Sequence, residues 1–91
     1  MTLRINSTAE SADGTSFSPA DDFTVQAQFD PASKAVVQIE AQADATAPWL
    51  RIGVMTRATH PPLMTFRKVP FVRITMRGNT AGLTVKAWTD A

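Results

Sequence analysis

Cysteine is absent from this chain, histidine occurs once and glycine four times in 91 residues. Without cysteine there is no disulfide framework, no thiolate nucleophile and no cysteine-ligated zinc. One histidine leaves a transition metal short of ligands, because zinc sites draw three or four from histidine, cysteine and carboxylates. The glycines, Gly14, Gly53, Gly78 and Gly82, lie apart or flank a turn, which excludes a glycine-rich phosphate cradle. No stretch approaches the roughly 20 apolar residues that span a bilayer. The opening MTLRINSTAESADG lacks the apolar run of a signal peptide, so the expectation is a soluble protein made in a cytoplasm. Asn6-Ser7-Thr8 fits a glycosylation acceptor pattern and, without an export signal, reads as accidental.

What is present is enough for one small domain. A hydrophobic content of 44% with 19% charged residues is that of a chain that can bury a core. The net charge of +1 conceals a split. Residues 1 to 45 carry seven acidic residues against Arg4 and Lys34, a net −5, whereas residues 46 to 91 carry seven cations against Asp90, a net +6. A bipolar chain can dock its acidic surface on a neighbour's basic one. Alternatively, acidic and basic strands pair within the fold and the split means little.

Period-two alternation recurs along the chain and marks strands with one buried face. Phe23 to Phe29 places Phe23, Val25, Ala27 and Phe29 on one side and Thr24, Gln26 and Gln28 on the other. Asp30-Pro31-Ala32-Ser33 reads as a tight turn. A second strand, Lys34 to Ala43, is expected to return as its hairpin partner, with Val37, Ile39 and Ala41 inward. Further strands are expected over Trp49–Val54, Leu63–Lys68, Phe71–Arg77 and Leu83–Thr89, with a short one at Leu3 and Ile5. Arg57 to Pro62 is a rigid, proline-bearing loop. Gly78 to Gly82 suits a hairpin loop that joins the last two strands. The predicted architecture is all-β, an antiparallel sandwich or small barrel of six to seven short strands. Residues 1–22 form a short strand plus a polar arm or loop, and residues 23–91 the sandwich domain.

Chemistry is sparse. His60 is followed by Pro61 and Pro62, with no serine or carboxylate beside it to suggest a relay, and reads as a loop histidine. Asp21-Asp22 lacks the spacing of a calcium loop and reads as a solvated loop entering a strand. The expectation is a non-enzymatic protein with no catalytic residue, no cofactor and no metal. If the last two strands form a hairpin, Phe71, Arg73 and Arg77 lie beside Lys86 and Trp88 on one basic, aromatic outward face. Such a face suits a protein interface, where aromatics and arginine concentrate. A plain solvated sheet is the bland alternative, and an oligonucleotide-binding sheet would also combine aromatics with cations. The acidic half of the chain argues against nucleic acid.

The succession FTVQAQF, a turn, KAVVQIEAQA, PWLRIG and VPFVRITMRGNTAGLTVKAWTD resembles the small β-sandwich accessory proteins of tailed-phage virions. The resemblance covers residues 23 to 91, with DATAP where an aspartate-glycine turn is usual in that group. It implies a decoration or cement protein, or a head-to-tail adaptor. Such a protein binds the major capsid protein or other virion proteins, forms a homo-oligomer, and resides in the virion after assembly in the host cytoplasm. On that reading Phe71, Arg73, Arg77, Lys86 and Trp88 form the protein interface and residues 7 to 22 order on a neighbour. The alternative is a carbohydrate-binding or adhesin-like module that stacks a sugar on Trp49 or Trp88, Trp49 being the first candidate by its loop position, and the third reading is a single-stranded nucleic-acid-binding barrel. No membrane association is expected.

Overall fold

The alternating segments become strands with one buried face in the computed structural model, which describes residues 2–91. Among those residues there are eight strands and no helix: β1 (Thr2–Ser7), β2 (Ala12–Asp13), β3 (Phe23–Phe29), β4 (Val36–Gln42), β5 (Leu50–Met55), β6 (Leu63–Phe66), β7 (Phe71–Arg77) and β8 (Val85–Thr89). They form two antiparallel four-stranded sheets, the first in the order β1-β8-β3-β6 and the second β2-β7-β4-β5. The all-β expectation therefore resolves as a sandwich, not a closed barrel. One strand beyond the expected range is the two-residue β2.

The core is what the alternation dictates. Phe23, Val25, Ala27, Val85 and Ala87 of the first sheet face Val37, Ile39, Val72, Ile74 and Met76 of the second, all buried. At the β5–β6 end the Phe66 ring stacks on Phe23, with centroids 5.5 Å apart. It also lies over Gly53, where a Cβ would come within 2.5 Å of the ring. Gly53 is thus required by close approach, since any side chain there collides with the aromatic pair.

Two expected hairpins are absent. β3 pairs with β8 and β6, and β4 pairs with β5 and β7, so the first pair belongs to opposite sheets. The Asp30 turn forms as expected, with Ser33 N–H donating to the Asp30 carbonyl at 2.9 Å. Ser33 and Ala35 are buried, however, and carry the chain across the end of the sandwich to the other layer. Likewise Gly78 and Gly82 take the positive φ values of 74° and 94° that their composition suggested, yet the loop between them passes from β7 in the second sheet to β8 in the first. Of the connections between successive strands only β4–β5 is a hairpin; every other one changes sheet.

One side chain ties these crossings together. Asn79, buried in the β7–β8 loop, accepts from the Ser33 hydroxyl at 2.7 Å and donates to the carbonyls of Ala9 at 2.9 Å and Leu83 at 2.7 Å. Three chain segments meet on a single amide, which satisfies polar groups that the crossings would otherwise leave buried and unpaired.

The polar segment before β3 is tied to the second sheet. β2 pairs with β7, and Phe17 and Val72 exchange both backbone hydrogen bonds at 2.8 Å. Phe17 is the anchor of this segment, which alternation alone leaves as an arm or loop. It meets Phe23 edge-on at 6.1 Å and carries the Arg4 guanidinium over its ring at 3.8 Å. Arg4 also donates to Thr89 Oγ1 at 3.0 Å and to the Ala91 oxygen at 2.7 Å. Its partial burial lowers the guanidinium pKa, although arginine stays charged at any physiological pH.

Candidate functional site

Because β7 and β8 lie in different sheets, the five residues expected on one face are divided. Phe71, Arg73 and Arg77 lie on the outer side of the second sheet, and Lys86 and Trp88 on the outer side of the first. The two sheets of a sandwich stand roughly 10 Å apart and their outward side chains point in opposite directions. No flat partner surface can touch both groups at once.

The outer face of the second sheet is satisfied from within. β4 and β7 are neighbours in a register that sets Glu40 opposite Arg73 and Gln38 opposite Thr75. Arg73 Nε donates to Glu40 Oε1 at 3.1 Å, and Thr75 Oγ1 donates to the same oxygen at 3.2 Å. Arg77 pairs with Asp13 of β2 at 2.7 Å. Two of the seven cations of the second half, Arg73 and Arg77, thus pair with acidic residues of the first half across strands, in the sense of the plainer reading of the charge split. Exposed pairs of this kind contribute only about 0–1 kcal/mol each, so their effect is to leave this face with few free charges. Trp49, the candidate sugar platform, has the Arg73 guanidinium 4.6 Å from its ring centroid, which occupies one face of the indole.

The outer face of the first sheet is different. Pairing aligns Leu3, Trp88, Gln26 and Leu63 in one row across β1, β8, β3 and β6, and Asn6, Lys86 and Gln28 in the next. Beside these rows β6 stops at Leu63 whereas β3 runs on to Phe29. The vacated edge is framed by the loop from Thr56 to Pro62, leaving a hollow of about 530 Å³ lined by Gln26, Gln28, Phe29, Arg57 and His60 among others. The loop is fixed by the Pro62 carbonyl accepting from Ala27 N–H at 3.0 Å and by Arg57 Nη1 donating to the Pro31 carbonyl at 2.9 Å. A second hollow of about 390 Å³ continues along β3 past Gln28 to Asp30, Thr84 and Lys86.

A third feature, at the free edge of the second sheet, was not singled out in the sequence. β5 exposes Leu50 at 64%, Ile52 at 39% and Val54 at 38%, and an apolar hollow of about 220 Å³ is lined by Ala41, Leu50, Ile52, Val69 and Pro70. The alternation of Leu50, Ile52 and Val54 is visible in the sequence. That they end on an uncovered edge depends on strand order.

Asp22, weighed as a cation ligand, instead accepts from Lys68 N–H at 2.8 Å and so caps a loop. Asp44 accepts from the Thr46 backbone N–H at 2.9 Å and hydroxyl at 2.7 Å, and these bonds lower its pKa below the ordinary carboxylate value. Among the described residues no three histidine, aspartate or glutamate side chains cluster to hold a metal ion, and no helix is long and apolar enough to cross a membrane. Compared with protein families, with curated proteins and with solved structures, the chain matches none.

Proposed function

We propose that this chain is a non-enzymatic structural module that joins protein subunits, in the manner of the phage-virion accessory proteins it resembles, by binding and stabilising a capsid surface. The observation that carries this reading is the apolar hollow at the β5 edge. Large aliphatic side chains left in water on a strand end are the kind of patch that partner proteins cover. A hollow of about 220 Å³ suits one or two anchoring side chains of a neighbouring subunit. Arg51, Arg67 and Lys68 lie on β5 and before Val69, and none of them is in an ion pair among the described residues. The complementary partner therefore has an apolar anchor ringed by acidic groups.

A β-bulge between Ile39 and Glu40 interrupts the β4–β5 ladder opposite Ile52. Bulges and long cations protect free edges from indiscriminate strand pairing, so the contact runs through side chains rather than through an added strand. The reading requires a major capsid gene in the same genome, and the test is co-sedimentation of the purified protein with shells assembled from that capsid protein. Wild-type protein should bind, and Leu50→Asp combined with Ile52→Asp should abolish binding while circular dichroism and thermal midpoint stay unchanged, since both residues are exposed. Failure of the wild type to bind, or equal binding by the variant, refutes the reading.

A further inference from the structure

The two outer faces differ in one respect that bears on ligands. On the second sheet Arg73, Thr75, Gln38 and Glu40 are bonded in one group and Arg77 pairs with Asp13. On the first sheet, the side chains of Asn6, Gln26, Gln28, His60, Lys86 and Trp88 make no hydrogen bond among the described residues. These are amides, an imidazole, an ammonium and an indole: Gln26, Gln28 and His60 line the first hollow, Gln28 and Lys86 the second, and Trp88 and Asn6 lie outside both linings, opposite Gln26 and Lys86 in the strand register.

We infer that the groove along β3 binds a carboxylate-bearing oligosaccharide. Trp88 offers a half-buried aromatic surface for the C–H face of a sugar ring. Gln26, its neighbour across β8–β3, and Gln28, one step along the strand, each present a planar amide that can donate and accept at once. Vicinal hydroxyl groups require that pairing of donor and acceptor. A strand rises about 3.4 Å per residue, so the stretch from Gln26 to Asp30 that lines the two hollows spans about 14 Å, enough for more than one sugar unit.

The acidic preference follows from the charges. Arg57 lines the first hollow and Lys86 the second, and Asp30 is the one carboxylate among the described residues that lines either. Asp30 accepts from the Ala32 N–H at 2.9 Å, so its oxygens are partly engaged by its own turn. Arg57 spends one nitrogen on the Pro31 carbonyl and keeps the rest of its fork for a ligand. An acidic peptide would satisfy the two cations but leave the hydroxyl-matching amides and the indole without a purpose. This site lies on the opposite sheet from the apolar hollow proposed for protein contact and does not depend on it.

The experiment is an NMR titration of the full chain with tetragalacturonate, with the neutral maltotetraose and with an oligoglutamate as comparisons. Tetragalacturonate should shift the Trp88 indole N–H and the side-chain amides of Gln26 and Gln28, and leave Trp49 unmoved. Gln28→Ala and Lys86→Ala, each with an unchanged thermal midpoint, should each weaken binding about tenfold, the loss expected of one hydrogen bond to a charged or polar ligand group. Lys86→Ala should also remove the preference over maltotetraose. No shift with tetragalacturonate overturns the proposal, as do shifts that map elsewhere or variants that bind like the wild type. Equal binding of maltotetraose by the wild type overturns the acidic preference, and equal binding of oligoglutamate reassigns the groove to an acidic protein segment.

Discussion

Replacing Asn79 with alanine tests the account of how this chain crosses between its sheets. The asparagine is buried and makes three hydrogen bonds, one from Ser33 and two to the carbonyls of Ala9 and Leu83. A hydrogen bond of this type contributes a net of about 1 kcal/mol, so losing three costs about 3 kcal/mol. For a domain of this size 1 kcal/mol corresponds to about 4–8 °C, so the thermal midpoint should fall by about 12–24 °C. Urea denaturation should show the same loss at an unchanged m-value, because the surface exposed on unfolding is the same. Ser33→Ala alone should cost about 1 to 2 kcal/mol, and the double variant less than the sum by about 1 kcal/mol, since the two changes delete one shared bond. A midpoint shift below about 4 °C for Asn79→Ala would mean that water replaces the amide freely, and the crossings would then need another explanation.

Gly53→Ala should destabilise the protein by about 1–3 kcal/mol, the usual cost of overpacking, because the new methyl would stand 2.5 Å from the Phe66 ring that stacks on Phe23. Chemical denaturation measures it, and a neutral result would mean that the ring moves aside at no cost. Asp44 should titrate below the ordinary carboxylate range, as its bonds from Thr46 require. A depressed folded-state pKa adds stability that is present above the unfolded pKa and lost as pH falls through the folded one. The stability gap between wild type and Asp44→Ala should therefore close in acid. A carboxyl resonance with an ordinary midpoint, or a gap that does not vary with pH, contradicts this.

Strand positions and their buried faces were legible because alternation is a local property. Val25, Val37, Ile39, Ile74 and Val85 are each fixed as inward by their immediate neighbours, and each is buried. Which sheet a strand joins is not local. A turn such as Asp30–Ser33 has the same residues whether it closes a hairpin or begins a crossing, and so do the two glycines around Asn79. What separates the outcomes is the fate of Ser33 and Asn79, which meet across 46 positions of sequence. A polar residue beside a turn reads as solvated unless its distant partner is known. Phe17 is the converse case, a lone aromatic whose partners Phe23 and Arg4 lie on separate strands, in a segment otherwise too polar and irregular to suggest order.

The same distinction governs the candidate sites. The five interface residues were grouped on the premise that successive strands are sheet neighbours, and the premise fails for β7 and β8. Once they are separated, the cations acquire different meanings. Arg73 sits across from Glu40 and pairs with it, and Arg77 reaches diagonally to Asp13, which stands opposite Thr75, whereas Lys86 sits between Asn6 and Gln28, neither of which carries charge. A basic residue in a sequence is therefore a weak indicator of a site until its cross-strand neighbours are known, because register decides whether the charge is answered inside the fold or left for a ligand. By that criterion Lys86, with Trp88 and the two glutamines of β3, is the part of the expected face that remains available for recognition.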